Sequence, residues 1–209
     1  MDEVPLLIDE PAGRPHGLTV VLAHGAGAAM DSAFMNDVAR GLSASGFRVA
    51  RFEFPYMRKA RETGARSRPD VPAELEATWR RVIGQLGGPA ALVIGGKSMG
   101  GRIASMVADR AGVKGLLCLG YPFHPAGAPG TLRVAHLKDL RTPSLFLQGE
   151  RDSLGSRAEI EGYELSSAIR IMYLGDGDHS FKPRKDSGRT YKGNLDQAIS
   201  EAAAFCSAL

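Results

Sequence analysis

The sequence is poor in cysteine, poor in aromatic residues and nearly balanced in charge. Of its 209 residues two are cysteine, one is tryptophan and 7% are aromatic. Cys118 and Cys206 each stand in an apolar stretch, with no second Cys or His at the spacing of a zinc site or a redox pair, so they read as buried thiols in a reducing compartment. The 26 basic residues are nearly matched by 23 acidic ones, and a net charge of +3 does not imply a nucleic-acid partner. No apolar run approaches the roughly 18 residues of a membrane span, so no membrane partner is expected. The Met-Asp-Glu-Val-Pro start lacks a basic segment ahead of an apolar core, which reads as no secretory signal and a cytoplasmic protein. Repeats and low-complexity tracts are also missing. What remains is a chain, 44% hydrophobic, of a length that suits one domain over residues 1–209. A chain this long buries roughly 70% of its unfolded surface and needs neither disulfide nor structural metal.

Short apolar runs recur with helical patterns between them. Leu18–Ala23, Phe47–Phe54, Ala91–Ile94, Val113–Leu119, Ser144–Leu147 and Ile169–Leu174 read as buried strands, and Val4–Ile8 as an edge strand. Phe34, Met35, Val38 and Leu42 keep helical spacing after an Asp31 cap, with Gly46 as the stop. Leu75, Trp79, Val82 and Leu86 mark a second helix, and Leu195, Ile199, Ala202, Cys206 and Leu209 a closing one. The alternation predicts an α/β fold: three layers, a mostly parallel twisted sheet and helices on both faces. Pro55–Pro72 and Lys182–Asn194, rich in Gly, Pro and basic residues, read as surface loops.

Gly96-Lys97-Ser98-Met99-Gly100 satisfies G-x-S-x-G, with an apolar strand before it and a helical pattern (Met99, Ile103, Met106) after it. Ser98 therefore falls on a tight strand-to-helix turn that needs small residues at 96 and 100. Gly-Lys-Ser also ends the phosphate-binding loop G-x-x-x-x-G-K-[ST], but that motif requires glycine at 91, where Ala91 stands, followed by an open loop rather than Leu92-Val93-Ile94. A nucleophilic serine needs a base and an acid that orients it. Asp152 lies just past the strand ending at Leu147, and His179 just past the strand ending at Leu174. Both fall at the carboxyl end of a parallel sheet, where sites form. Glu150 is the reserve acid, and His16, His124 and His136 do not suit the role of base. Met99 and Ala26 are the candidate amide donors to an oxyanion, the latter in the small-residue loop Leu22–Ala28. His24, in the same loop, reads as a residue that holds the loop by hydrogen bonds.

With these residues in place the chain resembles the α/β-hydrolase superfamily over nearly its full length, most closely its small, lidless, dienelactone-hydrolase-like group. His24-Gly25-Ala26-Gly27, Gly96–Arg102 and Gly120-Tyr121-Pro122-Phe123-His124-Pro125 are similar to the branch that holds a subunit of the NSL chromatin complex and a testis-expressed relative. The nucleophile of dienelactone hydrolase is cysteine, whereas position 98 is serine. The resemblance implies a serine hydrolase of small or exposed carboxylic esters or thioesters, working through Ser98, His179 and Asp152 and an acyl-enzyme, with no cofactor and no metal. The segment between Tyr121 and Arg141 is too short for a large cap, so an open site is expected. Arg58, Lys59, Arg61, Arg66 and Arg68 form one basic cluster, and Lys182, Arg184, Lys185, Arg189 and Lys192 another. Arg58, Lys59, Arg184 and Lys185 are candidates for a rim that favours an anionic substrate. The alternative, drawn from the chromatin-complex relative, is a non-catalytic protein-binding scaffold.

Overall fold

The computed structural model describes residues 3–65 and 67–209; Met1, Asp2 and Arg66 of the first basic cluster lie outside the described residues. Seven strands form one sheet in the order β1-β3-β2-β4-β5-β6-β7. They are β1 Leu6–Asp9, β2 Thr19–Ala23, β3 Arg48–Phe52, β4 Leu92–Lys97, β5 Gly115–Leu119, β6 Ser144–Gly149 and β7 Ile169–Leu174. Only the β1–β3 pair is antiparallel. The helices are α1 Ala33–Ala44, α2 Pro55–Thr63, α3 Pro72–Gln85, α4 Met99–Ala111, α5 Arg157–Ile160 and α6 Tyr191–Ser207. This is the α/β-hydrolase architecture without a large cap: between Tyr121 and Arg141 stands only the short turn Ala135–Leu137.

The period-2 alternation of strand side chains divides the core in two. Val20, Leu22, Val93, Leu117, Leu119, Leu145 and Leu147 face α1 and α6 and pack with Met35, Leu42 and Ala198. Val21, Ala23, Ile94, Leu116, Cys118 and Phe146 point the other way, onto Leu75 and Trp79 of α3 and Ile103 and Val107 of α4. Because both faces are covered, the strands read as continuous apolar runs.

Several expectations need correction. Pro55–Pro72 is not all loop: Pro55–Thr63 is a helix, with Pro55 at its first position and Gly64 in the left-handed conformation after its end. The polar composition reflects a helix that buries little beyond Tyr56. Likewise α6 starts at Tyr191, inside the segment read as a loop, on an N-cap Thr190 whose hydroxyl accepts from the Gly193 amide at 3.0 Å. Asp31 does not cap α1; Ser32 holds that position and the Asp31 carboxylate accepts from Arg61 at 2.8 and 3.1 Å. Ala91 closes a short turn, and β4 runs on to Lys97 because Gly95 and Gly96 keep their pairing with Leu117 and Cys118. Among the described residues no helix is long and apolar enough to cross a membrane.

Candidate functional site

The turn between β4 and α4 is sharp enough to strain its serine. Ser98 has φ 51° and ψ −115°, in a region that residues with a Cβ rarely enter. A Cβ on Gly96 or on Gly100 would overlap the Ala23 carbonyl oxygen on β2, so both positions require glycine for close approach. The Ser98 amide donates to Leu119 O at 3.0 Å and the Arg102 amide to Ser98 O at 3.0 Å, fixing the turn to β5 and to α4. Met99 opens α4, so its amide belongs to the first turn, where N–H groups lack an intrahelical acceptor and favour negative charge.

The segments after β6 and β7 bring Asp152 and His179 up to Ser98. His179 Nδ1 lies 2.7 Å from Asp152 Oδ2, and His179 Nε2 lies 2.9 Å from Ser98 Oγ. Asp152 is fully buried, while the imidazole keeps 27% of its surface exposed. The second carboxylate oxygen, Oδ1, accepts from the Leu154 amide at 2.8 Å. A tight turn holds the histidine: the Asp178 carboxylate accepts from the Ser180 and Lys182 amides at 2.8 and 3.0 Å, and buried Asn194 of α6 donates to Gly175 O and Phe181 O at 3.0 and 2.8 Å. Glu150, the reserve acid, faces away and accepts from the Asp176 amide at 2.8 Å.

The loop after β2 lies across the turn. Ala26 lines the same cleft as Ser98 and Met99. His24 is fully buried and holds this loop, as its sequence position suggested: Nδ1 donates to Gly25 O at 2.7 Å, and Nε2 accepts from the Phe54 amide at 3.2 Å. Burial pushes its pKa down, which keeps Nε2 available as an acceptor. The Tyr56 hydroxyl of α2 donates to Ala26 O at 3.0 Å. Buried Glu53 accepts from the Met30 amide at 3.3 Å and is clamped by Arg61, which bridges to Asp31.

The cleft has a volume of about 400 Å³, within the usual range for a small-molecule site, and its walls come from Pro69–Leu75, the start of α4 and the Pro122–Arg133 segment. The four rim candidates lie elsewhere. Arg58 and Lys59 line a separate cavity with Glu53, Glu62 and Glu74. Arg184 is held by Asp176 at 2.6 Å, and Lys185 is exposed away from the cleft lining. None of these four lines this cleft, since sequence proximity does not say which way α2 and the 182–190 loop present their cations. Among the described residues the arginines that line the cleft are Arg102, one helical turn past Ser98, and Arg133 of the Pro122–Arg133 wall.

Two further residues escaped the sequence reading. Gln148, fully buried at the end of β6, donates to Asp152 Oδ2 at 2.8 Å while its Oε1 accepts from the Tyr121 amide at 2.7 Å. Lys97 donates from Nζ to His179 O at 2.8 Å, and burial lowers its pKa to about 8 against the opposing pull of Asp152 and Asp178. A polar residue four positions before the acid was the one available signal for Gln148.

The architecture is shared with solved structures of low sequence identity. A serine hydrolase homologue from Coxiella burnetii superposes with a TM-score of 0.71 at 19% identity over 95% of this chain and 89% of its own. A serine hydrolase without a lid from Xanthomonas campestris gives 0.69 at 18% identity over 95% and 87%. Dienelactone hydrolase from Anabaena variabilis gives 0.69 at 19% identity over 96% and 89%. The family model described as "Alpha/beta hydrolase domain" matches residues 16–207, and with the strand order and the Ser98 turn this makes the chain a member of the alpha/beta hydrolase family.

Proposed function

We propose that the protein is a serine hydrolase that cleaves small or exposed carboxylic esters or thioesters in the cytoplasm. The observation that carries this reading is the continuous hydrogen-bonded chain Ser98 Oγ, His179, Asp152, at 2.9 and 2.7 Å. A neutral imidazole with its proton on Nδ1 donates to Asp152 and leaves Nε2 to take the Ser98 proton as Oγ attacks the carbonyl. Asp152 then stabilises the imidazolium. The Met99 amide, at the head of α4, and the Ala26 amide, across the cleft, receive the oxyanion. His179 returns the proton to the leaving group, activates water, and the acyl-enzyme is hydrolysed. The open cleft, with no cap between Tyr121 and Arg141, suits small or exposed acyl groups. The buried free thiols Cys118 and Cys206 support a reducing compartment. The motifs at Gly96–Arg102 and Gly120–Pro125 support a place in the branch of the NSL-complex subunit.

The test is labelling of the wild type, Ser98→Ala and His179→Ala with a fluorophosphonate probe, beside hydrolysis of 4-nitrophenyl acetate, butyrate and octanoate. Labelling of the wild type alone is the expected result, with turnover in each variant lower by about four orders of magnitude or more. A folded wild type that neither labels nor turns over any ester would favour the protein-binding scaffold instead.

A further inference from the structure

Among the buried or half-buried arginines, Arg48 pairs with Glu10, Arg51 with Asp9 and Arg81 with Glu74. Arg102 and Arg133 do not. Neither takes part in an ion pair among the described residues, and Arg102 Nε is buried with no hydrogen-bond partner. Both line the Ser98 cleft. Burial lowers the Arg133 pKa and the Arg102 charge lowers it further, with Tyr121 opposing. Asp70 also lines the cleft, but its carboxylate accepts from the Tyr56 amide at 2.9 Å and pairs with neither arginine. Two guanidinium groups that are partly desolvated, mutually repelling and without a counter-charge are costly to hold together. An anion that satisfies both forks would relieve that cost.

The placement fits a substrate. Arg102 sits one turn after the nucleophile, where side chains four apart stand about 6 Å from each other. Arg133 belongs to the Pro122–Arg133 wall, where its amide donates to Phe123 O at 2.7 Å. An anionic group held by both would share the cleft with a carbonyl at Ser98. We propose that Arg102 and Arg133 form a carboxylate subsite, so that the preferred substrates are esters or thioesters bearing a free carboxylate on the acyl side. This rests on the hydrolase reading above, and it moves the anion-binding role from the surface clusters to the cleft itself.

The experiment compares kcat/KM for 4-nitrophenyl hydrogen adipate with that for 4-nitrophenyl methyl adipate, which differ only in the free carboxylate. The wild type should prefer the free acid by about tenfold or more, as expected for charge-assisted hydrogen bonds. Arg102→Met and Arg133→Met should bring the ratio close to unity, Arg133→Lys should keep part of it, and added salt should lower it. A ratio of one in the wild type, or one that survives both methionine variants, overturns the subsite. Adipate binding to Ser98→Ala, followed by calorimetry, provides a readout that does not depend on turnover. Saturable binding of adipate but not adipamide, lost in the Arg102→Met/Arg133→Met background, supports the subsite even if no ester is cleaved, and then only the hydrolase reading fails. Fluorophosphonate labelling without adipate binding or a carboxylate preference overturns the subsite and leaves the hydrolase reading standing.

Discussion

At Ser98 the backbone stores strain that the surrounding turn enforces, and the residue before it shows a second, electrostatic cost. Lys97 holds the His179 carbonyl at 2.8 Å, yet burial brings its pKa down to about 8 from 10.5. The folded protein therefore binds fewer protons than the unfolded chain between these values, so the stability lost to burying the charged amine is fully lost below about pH 8 and recovered as pH rises toward 10.5. Chemical denaturation of the wild type and Lys97→Met across this window should show the wild type gaining stability relative to the variant. A pH-independent difference would contradict the buried-ammonium account. If His179 is the base proposed for Ser98, removing the tether should also slow fluorophosphonate labelling by up to about tenfold, the worth of one hydrogen bond that positions its ring.

Among the elements, α2 departs most from the sequence reading, and its role is to hold the loop after β2. Tyr56 bonds the Ala26 carbonyl, and Arg61 joins Glu53 under that loop to Asp31 beyond it. Glu53 is 2% exposed, so Arg61→Met leaves a buried carboxylate without its main partner and should cost about 1–3 kcal/mol in urea unfolding. Adding Glu53→Gln removes the stranded charge and should return part of that stability. If the double variant is less stable than Arg61→Met, the pair is not coupled in this way. The two basic clusters show the limit of reading charge along the chain. Arg61 belongs to a structural clamp, Arg184 to an ion pair with Asp176, and the unpaired arginines of the cleft lie outside both clusters.

Across the whole molecule the sheet separates two packed layers, and Trp79 is the largest side chain fully buried in the layer under α3 and α4. It meets Phe52 edge-on at 4.8 Å. Its indole nitrogen has no hydrogen-bond partner, so it contributes by volume alone. Trp79→Ala should cost about 3–5 kcal/mol, a fall in Tm of roughly 6–20 °C for a chain of this size. Trp79→Phe should cost less than half as much, because no hydrogen bond is lost. Thermal unfolding of both variants checks the ratio; equal losses would mean that the indole N–H is paired in solution.

The sequence by itself determined the strands, the helix after Ser98 and the place of Ser98 on the turn between them, because these are local: an apolar run long enough for a strand, glycines where a Cβ would strike the neighbouring strand, and a helical apolar stripe. It also placed Asp152 and His179, since the parallel sheet brings the ends of β6 and β7 to the side where β4 ends. Which polar groups meet was decided only by the tertiary structure. Gln148 joins Asp152, Lys97 joins a carbonyl far along the chain, and Arg102 and Arg133 come to line one cleft, through placements set by the crossing of separate segments. The Pro55–Thr63 helix belongs with these, since it is held by Tyr56 and Arg61 reaching across to the loop after β2 rather than by an apolar stripe of its own. Hydrophobic burial follows a periodicity that the chain displays along its length, whereas hydrogen bonds and ion pairs depend on direction and distance between residues that only the fold makes neighbours.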